Sequence, residues 1–269
     1  MRIDSIFEKG TGVMNEDFHC THGNLFGVFD GATSLSPATF QDGRTGGFLA
    51  ANIAGQSFSD MRKPLPDLAR QANAAILDAM QDSGVDLGDK ANRWCTSAAV
   101  VRVNEHDFEW AQIGDCLIML IRADGSHQVI PPRFDHDLET LNMWKEVACG
   151  TDAPILSALH DQILHVRRQM NVTYGVLNGE EAAMSFLNHG SMPLESIDHI
   201  LLFSDGLFIP KSDPTERADF TLFASLYMDG GLSHLRDHIR EIEAADATCR
   251  AYPRFKAHDD IAAISIAFA

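Results

Sequence analysis

Three aspartates in this 269-residue chain occupy positions that suit the binding of a metal ion. Asp30 and Asp205 each follow a short apolar run and directly precede a glycine. Asp259 has the reverse arrangement, because an apolar run that begins at Ile261 comes just after it. An acid at the exit of one strand and another at the entrance of an antiparallel neighbour lie at the same edge of a sheet. We therefore expect the three carboxylates to converge.

Carboxylates on rigid strand ends are suitable ligands for hard divalent cations. Mg²⁺ and Mn²⁺ prefer oxygen ligands and keep several waters, so a few protein ligands are enough. Gly31 follows Asp30 and has no Cβ, which would let its backbone carbonyl approach an ion. Glu16 and Asp17 precede Phe18 on what we expect to be an early strand. Consecutive strand residues point to opposite faces, so only one of these two acids would reach the metal directly.

Each of these motifs also has an ordinary structural explanation when it is taken alone. Asp-Gly after a strand is a common turn, and adjacent acids such as Glu16 and Asp17 are usually solvated. The complete set, in its order and at strand boundaries, is what favours a metal site.

The composition argues against several other classes of function. The formal net charge is −17, from 38 acidic and 21 basic residues, which disfavours binding to nucleic acid or to an anionic membrane surface. No apolar stretch approaches the length that spans a bilayer, and the first residues do not resemble a signal peptide. The five cysteines are scattered and never spaced as Cys-x-x-Cys, which favours a reducing compartment. We expect a cytoplasmic protein, and the sequence indicates no particular oligomeric state.

Apolar periodicity predicts which elements position the acids. One helix is predicted from Pro37 to about Asp60, with Ser36 as its N-cap, and another from Pro66 to about Ser83. Short polar or glycine-bearing breaks separate four later strands, which predicts one antiparallel meander over 96–103, 108–113, 117–122 and 127–130. Residues 135–195 are predicted to be mixed and mostly helical. A strand over 199–203, helices near 214–228 and 232–250 and a strand over 261–268 complete the pattern. The order predicts an α+β sandwich, and the lack of a linker predicts one domain over 1–269.

Six motifs along the chain resemble those of the metal-dependent protein phosphatase family, the type 2C serine/threonine phosphatases. They are the segments 15–17, 28–31, 95–98, 113–116, 203–207 and 258–261. Any one of them is weak evidence, but six in the family's order over nearly the whole chain indicate a divergent, bacterial-type member. The resemblance implies a four-layer α-β-β-α sandwich with two central antiparallel sheets flanked by helix pairs.

The same resemblance implies a first set of metal ligands. Two ions, Mg²⁺ or Mn²⁺, would be bridged by Asp30, and the Gly31 carbonyl would bind one of them. Asp205 and Asp259 would complete the ligands of the first ion. Asp259 is preferred to Asp260 because it fills the family's Asp position, while Asp260 fills the Asn position. An assignment shifted by one residue stays open.

Three further acids have roles implied by the family. Glu16 would serve the second ion directly or through water, and Asp17 would orient water bound to the metal. Asp115 corresponds to a family ligand of a third ion, but Gly114–Asp115 is also a good two-residue hairpin turn, and the two explanations are equally strong. The implied reaction is attack on phosphorus by a metal-bridging hydroxide, with Asp30 at its centre.

The chain departs from the family at positions that handle the substrate. The family commonly has an arginine that holds the phosphate where this chain has Gly12, and often a histidine where it has Ala32. A third-metal acid is replaced by Ile209. Lys9 and Arg44 are candidates to replace the arginine.

Three hypotheses about function therefore remain open. The first is a phosphatase that acts on phosphoserine or phosphothreonine in proteins, and the second is a pseudophosphatase or phosphoprotein-binding module. The third is a hydrolase of small phosphorylated metabolites on the same fold. The retained carboxylates favour an active enzyme, because buried acids without a cation repel one another.

Overall fold

The computed structural model of the chain describes residues 1–33, 35, 39–131 and 135–268. Its strands within those ranges are Arg2–Glu8 (β1), Phe18–His22 (β2), Leu25–Gly31 (β3), Thr96–Val103 (β4), Asp107–Ile113 (β5), Leu117–Arg122 (β6), His127–Ile130 (β7), Asn188–Pro193 (β8), Ile197–Phe203 (β9) and Ile261–Ala267 (β10). The α-helices in the same ranges are Gly46–Ser57 (α1), Leu65–Asp82 (α2), Leu138–Val147 (α3), Ile155–Ala158 (α4), His160–Arg168 (α5) and Phe220–Ala245 (α6). Short 3₁₀ turns lie at Gln41–Gly43, Lys90–Asn92, Ala148–Gly150, Glu181–Phe186 and Asp205–Leu207.

The strands form two antiparallel sheets. The first sheet has the order β1-β10-β9-β6-β7 and the second the order β2-β3-β4-β5-β8. One apolar layer lies between them, where Val28 of β3 is packed in the same fully buried cluster as Leu202 of β9 and Ile264 of β10. Removing such side chains from water contributes roughly 25 cal/mol per Å² of apolar surface.

Helices cover the outer faces of both sheets. The pair α1 and α2 packs on the second sheet through a cluster that includes Ala50, Leu68 and Phe29. On the first sheet, α6 packs through residues such as Phe223 and Leu235, and non-helical backbone at Gly230 and Gly231 divides it into two parts. The predicted four-layer α-β-β-α sandwich is therefore confirmed.

The first helix begins later than the sequence predicts. Its N-cap is Thr45, whose hydroxyl accepts the Phe48 N–H, and not Ser36, which with Pro37 falls outside the described residues. Asp42 and Gly43 adopt left-handed backbone with φ of 59° and 73°, a conformation that a helix cannot continue through. By contrast, the helix predicted from Pro66 is confirmed as α2.

The predicted four-stranded meander is wrong at its centre. Strand β5 pairs with β4 and β8, while β6 pairs with β7 and β9. Residues 114–116 thus carry the chain from the second sheet to the first, and Gly114–Asp115 is no hairpin turn. Gly114 has a φ of +82°, and a Cβ there would lie 2.2 Å from the Ser97 hydroxyl. The connection between β5 and β6 therefore places Asp115 at the end of both sheets.

Strands β1 and β8 lie in parts of the chain where the sequence predicts no strand. Neither β1, whose residues are mostly exposed, nor β8, which lies in the segment expected to be mostly helical, was predicted from the sequence. Asn15–Asp17 precede β2 as a loop and do not lie on a strand. Among the helices of the described residues, not one combines the length and the apolar character that crossing a bilayer requires.

Candidate metal centre and active site

A cavity of about 560 Å³ opens at one end of the sandwich, where the two sheets meet. Asp30 reaches it from the second sheet. Phe26, Val28 and Asp30 are alternate residues of β3 and therefore lie on the same face of the strand, and the first two are buried in the layer between the sheets. Asp205 follows β9 and Asp259 precedes β10, both of the first sheet. All three acids line this cavity, together with Gly31 and Asp115. They meet between two sheets and not along the rim of one.

Asp30 and Asp205 lie close enough for their carboxyl groups to shift one another's pKa. Burial raises the pKa of Asp30 well above its usual value, and the carboxylates of Asp17, Asp115 and Asp259 raise it further. Burial also raises the pKa of Asp205 well above its usual value, and the carboxylates of Asp30, Asp259 and Asp115 raise it further. Without cations, Asp30 and Asp205 therefore favour their neutral forms, because adjacent carboxylates in a poorly solvated site cannot all ionise.

The donor set fits hard divalent cations. Carboxylate oxygens and a backbone carbonyl are the ligands that Mg²⁺ and Mn²⁺ prefer, and all of them lie on strand ends whose positions the sheets determine. A bound cation would favour the charged carboxylates and remove the electrostatic cost of gathering them.

Asp259 and Asp260 have different surroundings. Asp260 is 3% exposed and accepts the backbone N–H groups of Gly10 at 2.7 Å and Glu16 at 2.9 Å, so it joins three chain segments. Asp259 lines the cavity, where the Lys256 ammonium lies 2.6 Å from its Oδ1. This geometry supports Asp259 as the ligand. Lys256 was not predicted from the sequence, where its signal is its position three residues before Asp259.

The Lys256 ammonium partly neutralises the negative charge of the carboxylates at the cavity. Burial opposes its charge, but Asp259, Asp30 and Asp260 outweigh that cost and raise the pKa of its ammonium. A cation that binds Asp259 must displace this ammonium from it, or share the carboxylate with it.

Glu16 and Asp17 lie behind the cavity and are not among the residues that line it. The Glu16 carboxylate accepts hydroxyl hydrogen bonds from Thr33 at 2.5 Å and Thr45 at 2.6 Å. Asp17 accepts the Ser204 hydroxyl at 2.7 Å. Burial holds the pKa of Asp17 well above its usual value against this bond. Both acids are thus close to the cluster but directed to other partners.

A second group of possible ligands lies in the same cavity. One ligand atom each from Asp115, His136 and Asp137 lie within 4.8 Å of one another. Asp115 accepts the Ser97 hydroxyl at 2.5 Å, and the His136 ring stacks on Tyr174 with centroids 4.1 Å apart. Of these three residues, Asp115 alone was predicted from the sequence, and the adjacent Asp135-His136-Asp137 run is the sequence signal for the other two.

Among the described residues, one lysine and one arginine line the cavity, and neither is a candidate that the sequence suggested. They are Lys256 and Arg167. Lys9 and Arg44 are not among the lining residues, and Arg44 instead approaches Asp42 at 3.9 Å with both side chains well exposed.

Ala32 lines the cavity without offering a proton, and Ile209 packs against the apolar cluster beneath α6.

The family model described as Protein phosphatase 2C matches residues 10–240. The chain belongs to the protein phosphatase 2C family. The four-layer fold agrees with this membership.

Solved structures of bacterial phosphatases share the fold of this phosphatase 2C family member. The serine/threonine phosphatase PstP/Ppp of Mycobacterium tuberculosis aligns with a TM-score of 0.60 and 18% identity over 98% of this chain and 97% of that one. Stp1 of Staphylococcus aureus aligns with a TM-score of 0.61 and 16% identity over 99% and 94%. A PstP catalytic domain solved with two manganese ions aligns with a TM-score of 0.58 and 17% identity over 98% and 96%. No curated protein has a sequence that matches this chain significantly.

Proposed function

We propose that this phosphatase 2C family member is a Mg²⁺- or Mn²⁺-dependent phosphoester hydrolase acting on phosphoserine and phosphothreonine in proteins. The observation that carries the proposal is the convergence of Asp30, Asp205 and Asp259 from distant parts of the chain at one cavity. The two manganese ions bound by PstP support a pair of ions at these acids. The five free cysteines support a reducing, cytoplasmic location.

Asp30 would hold both ions and the Gly31 carbonyl one of them, and Asp205 and Asp259 would complete the ligands of the first ion. Bound there, two divalent cations would supply hydroxide near neutral pH and neutralise phosphoryl oxygens. Glu16 and Asp17 would act through water, because their carboxylates already accept bonds from hydroxyl groups behind the cavity wall. Lys256 would place its ammonium charge beside the reacting phosphoryl group.

Release of phosphate from an aryl phosphate with added Mn²⁺ tests this proposal. We expect turnover that depends on Mn²⁺ or Mg²⁺ and is lost with a chelator. Phosphopeptides should then be better substrates than a panel of small phosphorylated metabolites. A preference for the metabolites would favour the third hypothesis, and no release at all would contradict hydrolysis.

A binding module without turnover is the second candidate function. The ion pair between Lys256 and Asp259 supports it, because an internal cation already contacts one expected metal ligand. The two threonine hydroxyls on Glu16 support it as well. Such a module would bind phosphopeptides but release no phosphate.

We further propose that Asp115, His136 and Asp137 hold a third cation. An imidazole ligand favours transition metals such as Mn²⁺ or Co²⁺ over Mg²⁺. His136→Ala is expected to reduce the number of Co²⁺ ions bound per chain by one and to alter the visible absorption of the cobalt protein. His160→Ala, at another lining residue of the cavity, is the matched control. Identical cobalt stoichiometry and spectra for the two variants would contradict the site.

A further inference from the structure

Two contacts hold Arg167 beside the segment that follows Asp30 in the cavity wall. It lies in the last turn of α5 and lines the cavity. Its Nη2 donates to the Thr33 carbonyl at 2.8 Å, and its Nη1 lies 3.4 Å from the Cys95 sulfur. Thr33 is three residues after Asp30, and the Ala32 N–H between them donates to the Cys95 carbonyl at 3.1 Å. The guanidinium is therefore tied to the segments that position Asp30.

No anionic side chain among the described residues neutralises Arg167 at ion-pair distance. Its hydrogen-bond partners in that part of the chain are a carbonyl oxygen and a thiol. Burial raises the pKa of the Cys95 thiol, and burial likewise raises the pKa of Tyr174, so both are neutral near neutral pH. Arg167 is partly buried, and a partly buried cation that lacks an ion-pair partner is costly. The neighbouring Arg168 differs, because it pairs with Asp89 at 2.9 Å and is largely exposed.

The free donors of Arg167 suit an anion with several oxygens. A guanidinium carries five N–H donors, and the two contacts above use two of them. A planar fork that remains free binds a phosphoryl group with two parallel hydrogen bonds. The surrounding carboxylates would repel an anion until cations bind them, so the anion must arrive together with metal ions at the same cavity. A phosphoryl group on two metal ions meets that condition.

We propose that Arg167 binds the phosphoryl group of the substrate in this cavity. It would do from α5 what the family commonly does with an arginine where this chain has Gly12. The proposal builds on the proposed function by naming the residue that recognises the phosphate, and Lys9 and Arg44 do not compete for the role because they do not line the cavity.

Titration of the Mn²⁺-loaded protein with inorganic phosphate, followed by calorimetry, tests the proposal without requiring turnover. Arg167→Met is expected to weaken phosphate binding about tenfold or more, as expected for loss of a charge-assisted contact. Arg168→Met, the matched control on the same helix, should leave the affinity within about twofold. The Mn²⁺ stoichiometry should be the same in all three proteins. For an aryl phosphate, the KM of Arg167→Met should rise more than its kcat falls.

A second variant, Arg167→Gln, keeps the test valid if Arg167→Met does not fold. Its amide can still donate to the Thr33 carbonyl, and its phosphate affinity should fall as in Arg167→Met. Equal phosphate affinity in the Arg167 variants and Arg168→Met would overturn the proposal, as would the absence of phosphate binding by the Mn²⁺-loaded wild type. If phosphate binding depends on Arg167 but no substrate is hydrolysed, the proposed hydrolase activity fails while the role of Arg167 stands.

Discussion

Asp30→Asn is expected to abolish Mn²⁺-dependent phosphate release and at the same time to stabilise the metal-free protein. Activity should fall by about 10³-fold or more, because the residue that would bridge both ions loses its charge. The free energy of unfolding without metal should rise by about 1–3 kcal/mol, because one member of a buried group of mutually repelling carboxylates is removed. An amide can still accept a hydrogen bond from a protonated Asp205.

Three measurements check this expectation: initial rates with Mn²⁺, calorimetric titration of Mn²⁺, and urea unfolding in a chelator. Asp205→Asn should behave similarly in rate and metal affinity. Asp152→Asn is the control, since its side chain is fully exposed and should change neither property. Substantial Mn²⁺-dependent turnover by Asp30→Asn would count against the metal centre. A less stable metal-free variant would contradict the electrostatic argument.

Gly206→Ala is expected to cost more stability than any conservative change elsewhere at the site. A Cβ at this position would lie 1.8 Å from the Asp260 carbonyl oxygen, and backbone cannot yield as a flexible side chain does. We expect a loss of about 3 kcal/mol or more in the free energy of unfolding. The displacement would also separate Asp205 from Asp259, so Mn²⁺ affinity should fall in whatever fraction folds.

Gly150→Ala is the matched control, because no atom lies within 4 Å of a Cβ built there. Its free energy of unfolding should stay within about 1 kcal/mol of the wild type. Urea unfolding of the two variants makes the comparison. Similar midpoints for both would show that the backbone contact at Gly206 is not as tight as the structure indicates.

Local patterns in the sequence were sufficient for many of the elements. The apolar spacing of Leu68, Ala72, Ile76 and Met80 predicts α2, and these residues are buried in the structure. The β-rich runs of β4, β6, β7, β9 and β10 were predicted at or near their observed bounds. Each of these signals depends on residues close together in the chain, where periodicity reports burial. Strand β1 was missed because it alternates weakly and is mostly exposed.

Strand pairing was not predictable in the same way. The short break at residues 114–116 indicates a hairpin when it is considered alone, yet β5 and β6 belong to different sheets. The choice between the two arrangements depends on long-range packing, since both strands are buried in either one. That choice moves Asp115 from an exposed turn to the cavity.

The sequence by itself determined the family, the layered α+β fold and the set of acids at strand ends. Those properties follow from residue types and their order along the chain. Only the tertiary structure decided that Asp30 meets Asp205 between two sheets, and that Lys256, His136 and Arg167 share their cavity. The physical reason is that α5 and the segment before β10 reach the cavity by packing against distant parts of the chain. Such long-range contacts produce no periodic pattern in the local sequence.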